Sequence, residues 1–260
     1  MSEEIQNNQV IELLLNHKSI RKYEDKIVPD NLVETIIKAG QQAAFAFQVY
    51  SVLLSRKNEN HPFHAPLYFI ICIDLHKIGK IMEKRNWKLI MNDISCLMLG
   101  LQDAAYMAQN MVIAAESLGL GTCYIGSVPY YADKITESFK LPPKVFPLVG
   151  LTIGYPAENP PIRPRYPMEF VLFEDEYPEF DEKTINKAMK KMDEGYLSQD
   201  YYKNLNAKIK LIVDRDETFD LDNYSWIEHI SRKLGQWDPS PQKMLEQFQK
   251  RGFDLEDKSK

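Results

Sequence analysis

The chain has 260 residues, 44% hydrophobic and 27% charged, with a net charge of −5. That is enough apolar material for one large domain or two small ones, and the acidity argues against nucleic acid or an anionic membrane as the main partner. Three widely spaced cysteines, Cys72, Cys96 and Cys123, argue against a disulfide framework or a thiolate metal site and for a reducing compartment.

The polar start MSEEIQNNQ does not read as a signal peptide. Ile5 to Asn16 predicts an amphipathic helix. A second helix begins at Asp30, read as an N-cap after Pro29, with Leu32, Val33, Ile36, Ile37 and Ala39 at helical spacing. Gln48 to Ser55 predicts a strand, Arg56 to Pro66 a polar loop, and Leu67 to Ile73 a central strand buried on both faces. Lys88 to Leu118 predicts a helix about 45 Å long. It is apolar on most sides, so it is central or lies at a subunit interface. Asp93 and Asp103 interrupt it, and its charge-free run falls short of the roughly 18–20 apolar residues of a membrane span. The expectation is a soluble, cytoplasmic protein.

Gly119-Leu120-Gly121 stops that helix. Thr122 to Val128 predicts a strand, Tyr131 to Phe139 a short helix and Phe146 to Ile153 another strand. Asn159 to Pro167, NPPIRPRYP, is an extended loop stiffened by proline. The acidic stretch Glu174 to Glu182 reads as a solvated linker. Helices follow: Thr184 to Asp193, Trp226 to Leu234 stopped by Gly235, and one from Pro241, capped by Ser240, ending before Gly252. Strands separated by helices predict an α/β or α+β sheet domain over 1–175 with a helical extension over 176–260 that packs on the core or on a partner subunit.

Two basic clusters bear on function: His17, Lys18, Ser19 and Arg21 within HKSIRKY, and Arg163 with Arg165. Arginine presents a planar fork that matches phosphate oxygens, and lysine adds a compact charge. Arg163 and Arg165 are two apart in an extended segment, which puts both on one side. From spacing alone these clusters read either as solvated surface charge or as an anion site. GLGTCYIG over 119–126 is not the dinucleotide fingerprint and follows a helix rather than opening one. His61 and His64 have no metal-ligand spacing, no metal site is expected, and Cys123 reads as a buried strand residue.

HKSIRKY, AAESLGLGTCYIGSV and NPPIRPRYP, in this order and at these separations, resemble the FMN-dependent nitroreductase family. The nearest subgroup is the oxygen-insensitive nitroreductases and NADPH-flavin oxidoreductases, which begin with H-R-S-I-R, carry A-A-E-S-L-G-L-G before Y-I-G-G, and have a K-P-R or R-P-R loop. The resemblance covers most of 10–175 and, more loosely, the tail. It implies an α+β fold with a mainly antiparallel sheet flanked by helices, an intertwined homodimer, and FMN at the subunit interface. It also implies ping-pong chemistry, in which NADH or NADPH delivers hydride to flavin N5 and electrons pass on to a nitroaromatic, a quinone or free flavin.

Carried over motif by motif, the resemblance assigns His17, Lys18, Ser19 and Arg21 to the FMN phosphate, ribityl chain and pyrimidine edge. Arg163 and Arg165 fall to the phosphate, backbone around Tyr124, Ile125, Gly126 and Ser127 to the ring, and Gln48 to the flavin of the second subunit. No side chain is expected to act as a catalytic acid or base. The chain departs from the pattern in four places. The family's serine-rich run is Ala43-Ala44-Phe45-Ala46-Phe47 here, where Phe45 and Phe47 either line the substrate face or pack at an interface. The second glycine of Y-I-G-G is Ser127, the connection 56–66 is short, and Pro241 stands where the subgroup has an arginine for NADPH. A flavin binder without nicotinamide-driven turnover, or another flavin reaction such as dehalogenation, is the alternative reading.

Overall fold

The structure is a computed structural model and describes residues 8–56, 58–236 and 240–255. It divides into two compact units, residues 8–160 with 240–255, and residues 161–236. The units divide at 160/161, and the last helix falls in the first of them.

The first unit is built on a four-stranded sheet of order β1-β2-β4-β3: β1 Tyr50–Ser55, β2 Leu67–Asp74, β3 Gly121–Ile125 and β4 Val145–Gly154. Every pairing is antiparallel, as the α+β reading requires. β2 is central, and all of it but Tyr68 is buried. Its residues alternate between faces. Leu67, Phe69 and Ile71 pack with helices α2 (Asp30–Gln41) and α4 (Asp93–Ser117). Ile70 and Cys72 pack with Val128, Ile135 and Phe139, around helix α5 (Ala132–Phe139). Helices thus cover both faces.

Local chemistry sets the element ends. Helix α1 (Gln9–Leu15) starts where Asn8 Oδ1 accepts from the amides of Val10 and Ile11; the predicted start at Ile5 lies outside the described residues. Asp30 is the first helical residue of α2 rather than its cap: Pro29, in extended conformation, holds the cap position, and the Asp30 carboxylate accepts from Arg56 at 2.5 Å. β1 begins at Tyr50, not Gln48, since Gln48 is left-handed (φ 54°). Helix α3 (His76–Lys84) was not legible as a helix, having only Ile78, Ile81 and Met82 at helical spacing; Asp74 Oδ1 accepts from Lys77 N near its start. α4 starts at Asp93 rather than Lys88 because Asn92 caps it, which gives a length of about 37 Å. It ends with Gly119 left-handed (φ 77°). Cys96, Ala104, Met107, Met111 and Ala115 are its buried side, while Ile94, Met98 and Leu101 are exposed. No helix among the described residues is long and apolar enough to cross a membrane.

The last helix, α9 (Pro241–Lys250), returns to the sheet. Phe248 stacks on Phe146 at 4.0 Å, and Arg251 donates to the carbonyls of Leu141, Pro142 and Val145. Asp93, buried at the start of α4, takes Lys144 Nζ at 2.6 Å and the amide of Asp254. These contacts explain why the tail belongs to the first unit.

The second unit holds α6 (Glu182–Leu197), α7 (Tyr201–Leu205) and α8 (Trp226–Gln236). α6 is longer at both ends than Thr184 to Asp193, since Asp181 caps it through Thr184 N. Asp193 accepts from Ile227 N and Ser225 Oγ, which fixes the start of α8 on α6. Arg232 is buried. It pairs bidentately with Glu217 and also with Glu228.

Candidate functional site

Residues 17–21 lie along the outer edge of β3. Ser19 bridges Thr122 in parallel sense, and Ile20 N donates to Thr122 O at 2.8 Å. Side chains in such a segment alternate. Ile20 turns inward, 4% exposed, against Gly121. A Cβ at Gly121 would fall 2.6 Å from Ile20 Cγ1, so this strand position requires glycine. His17, Ser19 and Arg21 take the other parity.

His17 Nδ1 contacts Glu116 Oε1 at 2.8 Å, and the same oxygen accepts from Thr122 Oγ1 at 2.8 Å. The side chains of Ser19 and Arg21 reach Cys123. Burial pushes that thiol up, against the lowering effect of the Arg21 charge. Cys123 is thus a buried, protonated strand residue rather than a nucleophile. The amides of Arg21 and Lys22 donate to Glu158 Oε1 at 2.5 and 3.1 Å. Lys18, of Ile20 parity, bonds Asn159 and lines a cavity of about 240 Å³ with Asn16, Glu116 and Gly119.

Beyond Ile125, strand pairing ends. Tyr124, Gly126 and Ser127 are exposed, and a Cβ on Gly126 would meet nothing within 4 Å. Tyr124, whose phenol burial pushes up in pKa, donates to Gln109 at 3.5 Å. It borders an apolar groove of about 600 Å³ floored by Leu101, Ala105, Tyr106 and Val149, within the usual size for a cofactor or substrate.

The loop before β1 is held by a residue the sequence reading treated only as an interruption. Asp103 in α4, 1% exposed, accepts from the amides of Ala46, Phe47 and Val49 at 2.6, 3.1 and 3.1 Å. A buried carboxylate needs such donors. A charge in the middle of an otherwise apolar helix was the available signal. Gln48 is exposed on this loop, and Phe45 and Phe47 are each half exposed.

In the second unit, Arg163 donates to Gln199 Oε1, and Arg165 is exposed. Glu116 and Asn159 lie in quoted motifs but were given no role there, and Gln199 and Glu158 were not singled out, since nothing local marks them.

The arrangement suits an anionic, ring-bearing ligand such as FMN. In the first unit Lys18 and Arg21 take part in none of the ion pairs among the described residues, so their charges are open to an anion; in the second unit, taken by itself, the same holds of Arg163 and Arg165. The backbone at Gly126 is open to a flat group. No cluster able to hold a metal ion occurs among the described residues.

The nitroreductase family model matches residues 49–155, and the model for the nitroreductase family C-terminal domain matches 163–256. The chain is 36% identical to an FMN reductase (NADPH) of Bacillus subtilis over 65% of its own length and 75% of that protein. It is 34% identical to an oxygen-insensitive NADPH nitroreductase of Salmonella typhimurium, over 73% and 83%. Among solved structures, NfrA1 of B. megaterium superposes with a TM-score of 0.79 at 31% identity over 95% of this chain and 99% of that one. The NADPH:FMN oxidoreductase of Vibrio harveyi, complexed with NAD+, superposes with a TM-score of 0.76 at 26% identity over 96% and 100%. With sheet order, motif placement and both family models in agreement, the chain belongs to the nitroreductase family.

Proposed function

We propose that the protein is an NAD(P)H-driven, FMN-dependent oxidoreductase that reduces nitroaromatic, quinone or flavin acceptors by a ping-pong cycle. The observation that carries this reading is the HKSIR segment laid along β3, with Lys18 and Arg21 in no ion pair among the described residues and the open backbone of Gly126 just past the end of the same strand. Bound FMN supplies the hydride chemistry; the protein binds and orients it.

His17, Lys18, Ser19 and Arg21 would hold the phosphate and polar edge, and Arg165 and Arg163 belong to the same phosphate proposal. The backbone of Tyr124, Ile125, Gly126 and Ser127 would face the ring, and fixed donors there favour negative charge on it. Gln48 would serve the flavin of a second copy. A homodimer is supported by apolar residues that one chain leaves exposed: Val10 and Leu15 on α1, and Ile94, Met98 and Leu101 on α4. Three buried, unbridged cysteines support a cytoplasmic location.

One experiment tests the core of this. The purified chain should take up FMN and turn yellow. Anaerobic titration with NADH and NADPH in separate cuvettes should bleach the colour with at least one of them. A chain that binds FMN but is bleached by neither is a flavin binder and not a reductase.

A further inference from the structure

Two side chains of α4 hold the ends of the segment that leads from α2 to β1. Asn110 Nδ2 donates to Ala39 O at 3.3 Å, near the end of α2. About two turns earlier on α4, Asp103 takes the amides of Ala46, Phe47 and Val49 on its two oxygens. Helix and loop come this close because of Gly100, on the same side of α4 as Asp103. A Cβ there would lie 2.5 Å from Ile73 Cγ2 and 3.4 Å from Val49 Cγ2. Val49 is pinned further, since its carbonyl accepts from Asp74 N at 2.8 Å. Asp103 has no cationic partner among the described residues, so the three N–H groups are what offset the burial of its charge.

Gln48 is skipped. Its N–H makes no hydrogen bond among the described residues, its backbone is left-handed (φ 54°), and it is exposed. The amides on either side of it, Phe47 and Val49, share one oxygen, Asp103 Oδ2. The chain therefore closes around that oxygen with Gln48 at the outer tip.

Resting on the FMN reading above, we infer that Asp103 is a positioning residue: its carboxylate templates the loop 46–49 and so holds the Gln48 side chain outward for the flavin of the second copy. The loop cannot set this turn by itself. Ala43 to Gln48 contains no Gly, Pro, Asn, Asp or Ser, the residues that make turns locally, and a glutamine takes a left-handed φ only at a cost. The order comes from the helix beneath. An asparagine at 103 would keep the shape but turn an NH2 group toward N–H groups, leaving at least one of them unpaired.

Amide hydrogen exchange reads the loop, and FMN titration reads its function. In the wild type the amides of Ala46, Phe47 and Val49 should be protected and that of Gln48 should not. Asp103→Asn should speed exchange at those three at least about tenfold and weaken FMN binding by about two- to tenfold. Gln48→Ala should weaken FMN binding by a similar factor and leave the three amides protected. The double variant should bind FMN no worse than Gln48→Ala, because Asp103 acts through Gln48, whereas a general loss of packing would add. Unchanged exchange in Asp103→Asn, unchanged FMN affinity despite faster exchange, or additive losses in the double variant each overturn the inference. Position 48 is exposed, so the template stays testable if Asp103→Asn does not fold. Gln48→Gly suits a left-handed φ and should keep the three amides protected; Gln48→Val does not and should expose them. Equal protection in the two overturns the template. If the chain takes up no FMN, the functional reading fails on its own account. Exchange then decides the template alone: faster exchange of the three amides in Asp103→Asn supports it, and unchanged exchange overturns it.

Discussion

The two basic segments carry similar charge and are built in opposite ways. Residues 17–21 are fixed through backbone: Ile20 N bonds Thr122 O, and Glu158 takes the amides of Arg21 and Lys22. Their side chains are thereby displayed on a strand edge. Residues 162–165 form no strand, and side chains fix them: Gln199 on the carbonyl of Ile162, Tyr201 under Arg163, Pro164 in the notch at Gly195. A backbone-held segment tolerates changes in its own side chains but not in the surface it lies on. A side-chain-held segment fails one residue at a time.

The largest effect should come from the surface beneath the first segment. Gly121→Val places a branched side chain where even a Cβ would lie 2.6 Å from Ile20. Either Ile20 leaves the core or β3 shifts, at a cost of about 3 kcal/mol, the upper part of the range for overpacking. Urea denaturation should show it as a lower midpoint with an unchanged slope. A midpoint like that of the wild type would mean that segment 17–21 is not held as described.

The second unit offers the complementary test, since its fixed points are charged side chains. Hydrogen bonds from Arg232, chiefly, hold the Glu217 carboxyl at about 2, well below its ordinary 4.5. A carboxyl with a lowered folded pKa contributes stability that is present above the unfolded value and lost as pH falls through the folded one. Glu217→Gln should therefore melt at lower temperature than the wild type at neutral pH. The gap should narrow as pH drops from about 4.5 toward about 2. A gap independent of pH would show that Glu217 acts by packing alone.

The same contrast explains what was legible in the sequence. Strand β2 and the body of α4 were readable because hydrophobic period and length decide them locally. The HKSIR motif was readable only as charge until the later motifs joined it. Its geometry depends on Gly121, Glu116 and Glu158, about 100 or more positions away in a chain of 260 residues, and no local pattern encodes such contacts. Asp103 was visible as a charge in an apolar helix, yet its three amide partners were not. α3 was missed because Gly79 and its lysines dilute the pattern of Ile78, Ile81 and Met82. Which surface the last helix packs on was not legible locally, because Phe248 meets Phe146 about 100 positions away in sequence.

The smallest effect should fall on Lys22, which shares the charge of its neighbours but not their placement. By strand alternation Arg21 takes the side of Ser19, and both reach Cys123. Lys22 is exposed at the end of the segment, and its amide is held by Glu158 whatever its side chain. Arg21→Ala should weaken FMN binding by about 1.5–3 kcal/mol, the worth of a hydrogen bond to a charged group. Lys22→Ala should change it by less than about 0.5 kcal/mol, as expected of a solvated charge away from the ligand. Isothermal titration of the two variants side by side makes the comparison. Equal losses would mean that FMN senses the net charge of the segment and not its geometry.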